Sequence, residues 1–294
     1  MVYAFAYILA RVNIRTPFLQ RDLDYVPDSA LTFAMPDSTL LLSLQDQIAT
    51  ITLNRPEKRN AISAQMLLDI PAVLADVAAG PARVAILTGA GSAFCAGMDL
   101  ESLRALATQS PADQYQEARR MVGMFQSVYA FPKPLIAAVN GPAIAGGTGL
   151  ATLADFTLAV PAAKFGYTEV KIGFLPAAVS VFLIRQVGEK RARELLLTGR
   201  IFSTDEALSA GLVTRSVPAE TLMEEARALA ESLVALSPAS LAATKRILLQ
   251  WNHDDVERDL EIAIRESVAI RSTADFREGL TAFLEKRTPK WSGQ

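Results

Sequence analysis

At 294 residues the chain can bury a sizeable core in one or two domains, and its composition, about half apolar and a fifth charged, excludes a disordered protein. A formal net charge of -2, with no long single-sign run, leaves no footprint for nucleic acid or an acidic membrane surface. A single cysteine, Cys95, and a single histidine, His253, exclude an internal disulfide and a Cys/His zinc set, so no metal site is expected and a reducing cytoplasm is the default compartment.

Residues 1–34 read as a non-core leader. Met1 to Ala10 is apolar but too short to span a bilayer, and no basic region precedes it. Strand patterning starts after Met35, with Leu40 to Leu44 and Ile48 to Leu53 flanking a turn at Gln45-Asp46-Gln47, which predicts a hairpin. Ser63 can cap a helix running to about Gly80, with Met66, Leu67, Ile70, Val73, Leu74 and Val77 at helical spacing and Pro71 expected to bend or interrupt it. Val84 to Leu87 is a short buried strand, followed by a glycine loop and a helix from near Asp99.

The same unit recurs. Pro111 to Phe131 reads as a helix with Tyr115, Ala118, Met121, Val122 and Phe125 on one side; Leu135 to Val139 is a strand, Asn140 to Gly147 a loop, and Thr148 to Leu153 a helix. Strand segments follow at Phe156 to Val160, Lys164 to Gly166 and Val170 to Ile172, and this alternation implies right-handed crossovers and a largely parallel sheet. Beyond Ala177 only helices are expected: Ala177 to Val187, Lys190 to Leu197, Thr204 to Ala210 behind a Ser203/Glu206 capping box, Pro218 to Leu236, Pro238 to about Ser272 as one long helix, and Thr273 to Lys286.

Chemistry is narrowed first by what is missing. Gly89-Ala90-Gly91 begins like a dinucleotide fingerprint, but Phe94 holds the third glycine's place; no phosphate loop and no nucleophile elbow occurs. His253 lies in a polar string suited to a solvated helix, and Cys95 suits a small buried residue better than a nucleophile. Two loops remain, Phe94 to Asp99 and Ala145-Gly146-Gly147, each leading into a helix. Small residues there let a ligand approach free backbone amides, and two such loops converging would form an oxyanion hole.

The strings Leu53 to Ala61, Phe94 to Leu100, Ala137 to Gly147, Phe165 to Val170 and Leu197 to Arg200 together resemble the crotonase, or enoyl-CoA hydratase/isomerase, family in order and spacing from about Thr39 to Trp291. The resemblance implies an α/β fold, a crotonase-like spiral of repeated ββα units over residues 35–215, with a helical C-terminal trimerisation region at 216–294. It implies a homotrimer or a dimer of trimers acting on an acyl-CoA small-molecule substrate, with coenzyme A entering as part of the thioester and no prosthetic group. The amides of Met98 and Gly146 would bind the thioester oxygen, and Arg59, Ala61, Ala96, Met98, Phe283 and Lys286 would contact the CoA portion.

Glu169 matches the second of the two glutamates that many hydratases of this family use. The first falls on Gly149. The resemblance therefore implies an enoyl-CoA hydratase with Glu169 as acid/base, a Δ3,Δ2-enoyl-CoA isomerase using Glu169 as a proton shuttle, or a catalytically silent acyl-CoA-binding subunit.

Overall fold

Seven strands, most of them short and apolar, build the principal sheet of the protein in a computed structural model that describes residues 31–33, 38–106 and 108–294. The order is β1 (Leu31–Phe33), β2 (Leu40–Gln45), β3 (Ile48–Leu53), β4 (Val84–Gly89), β5 (Leu135–Val139), β7 (Phe156–Ala159) and β10 (Arg215–Ser216). The expected hairpin is present, with Leu40 opposite Leu53 and Gln45 opposite Ile48; β1 adds antiparallel to its outer edge. That edge strand is drawn from the stretch assigned to the leader, the rest of which, residues 1–30 and 34, lies outside the described residues.

From β3 onward each neighbour is parallel, as strand-helix alternation requires. β4 and β5 are near-continuous apolar runs because both their faces are covered. A second sheet of three short strands, β6 (Ala143–Ile144), β8 (Lys164–Gly166) and β9 (Phe202–Ser203), stands beside the first.

The helices are α1 (Met66–Ala79), α2 (Leu100–Leu106), α3 (Pro111–Tyr129), α4 (Gly146–Thr152), α5 (Ala177–Thr198), α6 (Thr204–Ser209), α7 (Leu222–Val234), α8 (Pro238–Gln250), α9 (His253–Ile270) and α10 (Ala274–Leu284). α1 runs through Pro71 without a break, so the proline does not interrupt it. α5 changes direction at Gly188, whose φ of 74° is non-helical, matching the two helices read on either side of it. The capping box of Ser203 and Glu206 is formed in full.

Two expectations are corrected. Val170 to Ile172 is not a strand: Glu169–Ile172 is a 3-10 turn closed by Gly173 in the left-handed region. The long helix from Pro238 is two helices, because Asn252 (φ -119°, ψ 2°) breaks it and His253-Asp254-Asp255 starts the next with negative charge at its N-terminus. Among the described residues no single helix is long and apolar enough to cross a membrane.

Candidate active site

A cavity of about 450 Å³ lies between α3, α5, α9 and the loops after β3 and β4. Met98, Gly146 and Glu169 line it, and so do the basic residues Lys58 and Arg59. The strand-loop-helix units bring these together from distant parts of the chain. Each unit delivers its loop to the same side of the sheet.

Backbone pairing aims the first amide. Ile62 makes a parallel bridge to Met98, donating its N–H to the Gly97 carbonyl at 2.7 Å and accepting from the Asp99 N–H at 2.9 Å. In that pattern the bridge uses the residues flanking Met98, so the N–H of Met98 points away from Ile62 and stays free. Asp99 fixes the loop from the other side: its carboxylate accepts from the Glu101 N–H at 2.8 Å and pairs with Arg55 at 2.9 Å. Burial pushes the Asp99 carboxyl up, but these two partners outweigh it and hold the group below its usual range. Arg55 also donates to the Ala61 carbonyl at 2.6 Å, tying the Met98 loop to the loop after β3.

The second amide belongs to Gly146, the first residue of α4, whose N–H has no partner in the helix that follows. Ala145 precedes it with φ 52° and ψ -123°, a conformation an alanine adopts only under strain. Its own N–H donates to the Gly166 carbonyl at 2.7 Å, which holds the turn against β8. Cys95 sits behind this loop, fully buried, its thiol pushed up to about 12 by that burial.

Glu169 opens the 3-10 turn after β8. Its Oε2 is sealed from solvent and has no hydrogen-bond partner among the described residues, although the residue as a whole is only partly buried. Burial of the carboxylate pushes the pKa up to about 7, with its own backbone N–H pulling weakly the other way. The turn is clamped by α10. An added Cβ at Gly279 would stand 2.4 Å from the Ile172 carbonyl, so only glycine lets that helix approach so closely. Phe174 packs on Phe276, with ring centres 5.6 Å apart, and secures the far side of the turn.

Gly149 lies in α4, fully buried. A Cβ there would meet Val179 Cγ1 at 2.5 Å and Phe125 Cε1 at 3.0 Å. Apolar side chains from α5 and α3 therefore fill the space a side chain at this position would need.

The family profile described as enoyl-CoA hydratase/isomerase matches residues 43–294. The chain belongs to that family. A putative enoyl-CoA hydratase of Thermus thermophilus is 44% identical over 245 residues, covering 83% of this chain and 97% of the relative. A 2,3-dehydroadipyl-CoA hydratase of Escherichia coli is 34% identical over 259 residues, covering 87% and 100%. The fold is likewise similar to solved structures: an enoyl-CoA hydratase/isomerase from Xanthobacter autotrophicus superposes with a TM-score of 0.78 at 32% identity, covering 85% of this chain and 97% of that one. One from Pseudoalteromonas atlantica gives 0.77 at 29% identity, covering 87% and 100%.

As an enzyme of the hydratase/isomerase family, the protein gathers most of the residues singled out in its sequence. Glu169, Met98, Gly146, Arg59, Ala61, Ala96 and Phe283 all line the one cavity. Lys286 does not; it is exposed just past α10, with φ 55°. Met121 lines the cavity, while Tyr115 instead lies under the Arg119 guanidinium. Among the lining residues that were missed are the polar Glu117, Ser267 and Arg271. A signal for two of them existed, since Val256, Leu260, Ile264, Ser267 and Arg271 continue one helical stripe in which the last two are polar at buried positions.

Proposed function

We propose that this enzyme adds water across the 2,3 double bond of an enoyl-CoA thioester. Glu169 takes a proton from water as the oxygen bonds to C3, electron density moves through C2 to the thioester oxygen, and the protonated Glu169 then returns the proton to C2. Water is added and the glutamate is regenerated. The observation that carries this reading is the pairing of a sealed carboxylate, with its pKa near 7, and two free backbone amides on one cavity. A pKa near the working pH lets one group both accept and return a proton, and each oxyanion donor contributes about 3 kcal/mol to the enolate-like transition state. The names of the relatives, putative enoyl-CoA hydratase and 2,3-dehydroadipyl-CoA hydratase, support hydration.

One observation favours a second reading, Δ3,Δ2-isomerisation. With the Gly149 position filled by Val179 and Phe125, Glu169 has no carboxylate partner there to help hold water. A single carboxylate suffices to move a proton between carbons of the same chain. Paired assays with crotonyl-CoA and trans-3-hexenoyl-CoA separate the two: loss of conjugation in the first supports hydration, and conversion of the second without hydration of the first replaces it with isomerisation.

The CoA portion would lie along Lys58 and Arg59, whose cations suit its phosphates, with Phe283 beside it. We further propose that the C-terminal helices associate as a trimer. In support, α8 buries none of its residues and leaves Ile247 and Leu248 exposed, with Leu236 and Trp251 exposed at its two ends.

A further inference from the structure

The cavity wall carries a polar cluster that neither hydration nor isomerisation uses. Glu117 on α3 pairs with Arg271, which follows α9, at 2.7 Å, and the same guanidinium donates to Ser267 Oγ at 3.2 Å and to the Gln114 carbonyl at 3.2 Å. The side chains of Arg271 and Glu117 are only 2% and 13% exposed, and Glu117, Ser267 and Arg271 all line the cavity that holds Glu169. Arg271 is further fixed by Phe174, whose ring lies 5.4 Å from its guanidinium carbon.

What the cluster leaves unused defines a ligand. Only one oxygen of Glu117 is taken, so Oε1 remains an acceptor without a partner among the described residues. Ser267 accepts from Arg271 but donates to no partner among the described residues. Other helical serines, Ser127, Ser180 and Ser232, send their hydroxyl protons back to a carbonyl three residues earlier, and Ser267 does not. The cluster thus offers the cavity one acceptor, Glu117 Oε1, and one donor, the Ser267 hydroxyl; a second unpartnered donor, the Arg271 Nε–H, is sealed from solvent within the cluster, and Glu117 balances the charge of that arginine. A hydroxyl group, which both donates and accepts, matches that pair. A carboxylate would face Glu117, and a methyl terminus would leave both groups dry and unpaired.

We propose that Glu117 and Ser267 form an acyl-chain subsite that selects enoyl-CoA thioesters carrying a hydroxyl group toward the distal end of the acyl chain. This rests on the hydration reading for its turnover assay, though not for the binding it asserts.

The test compares kcat/KM for a short series of ω-hydroxy-2-enoyl-CoA thioesters with their methyl-terminated and ω-carboxy counterparts of equal length. The expected result is a preference of about tenfold or more for the best hydroxylated member, since a site built to pair with a hydroxyl discriminates strongly against its absence. In Ser267→Ala that ratio should fall toward one. Equal or better turnover of the methyl-terminated series, preference for the carboxylate series, or a ratio unmoved by Ser267→Ala would each overturn the subsite. If no member is hydrated, the hydration reading falls instead, and calorimetric titration with saturated ω-hydroxyacyl-CoA against acyl-CoA decides the subsite by the same ratio.

Discussion

Glu169 combines a catalytic task with a cost to the fold. Its carboxyl has a pKa of about 7 in place of 4.5, so the folded protein holds a proton that the unfolded chain releases between those values. Stability from this group is fully present below about pH 4.5 and is lost as pH rises toward 7 and beyond. Glu169→Gln removes the penalty, and its melting temperature should exceed that of the parent at pH 8 by an amount worth up to about 3 kcal/mol, with the gap closing below pH 5. A gap of the same size at both pH values would remove burial of the charge as its cause. The same variant should lose turnover by about a hundredfold to ten-thousandfold while still binding a saturated acyl-CoA, as read by calorimetry. In the parent, the limb of kcat/KM on the acidic side should rise through about pH 7 as Glu169 ionises. Asp99 has the opposite sign: held below its usual range, it gives stability present at neutral pH and lost on acidification. Removing its partner leaves a charge that is nearly inaccessible, so Arg55→Ala should cost about 3 kcal/mol or more in chemical denaturation.

Glycine decides two contacts at the scale of elements. Gly149→Ala forces a methyl into Val179 and Phe125, and a loss of about 1 to 3 kcal/mol is expected. Pairing it with Val179→Ala should recover much of that loss, a coupling readable in a double-mutant cycle. Additive losses would show that the crowding lies elsewhere. Gly279→Ala would push α10 away from the Glu169 turn, and kcat should fall about tenfold or more with a smaller change in KM, because the carboxylate is displaced from its working position. This packing also explains which elements could be read from sequence. The hairpin, the capping box and the two halves of α5 are written in local patterns of turn residues, caps and periodicity. The turn at Glu169–Ile172 is not, since Val170 and Ile172 alternate like a strand while a helix more than a hundred residues later shapes their backbone. The break at Asn252, by contrast, had a local signal that was overlooked: Asn252 followed by His253-Asp254-Asp255 has the composition of a helix start.

For the molecule as a whole, the loops that supply Met98 and Gly146 were legible because each is short, glycine-bearing and set between a strand and a helix, whereas Glu169 was reached through the family resemblance alone. The wall formed by Glu117 and Ser267 was not, since the two come from helices whose meeting depends on the tertiary packing of α3 against α9. Association belongs to this scale too. Light scattering on the purified protein should give three or six copies, and Leu248→Glu on the uncovered α8 should lower that number while leaving the far-ultraviolet circular dichroism intact. A monomeric parent would remove the proposed trimer. The one thiol of the chain, sealed behind the Gly146 loop and protonated at any ordinary pH, has a practical consequence. Thiolate, not thiol, reacts with maleimides, so the parent should remain dark to such dyes. A cysteine installed at exposed Lys286 would then be the sole labelled site, and a fluorophore there could follow the arrival and departure of a thioester without any background from the protein itself.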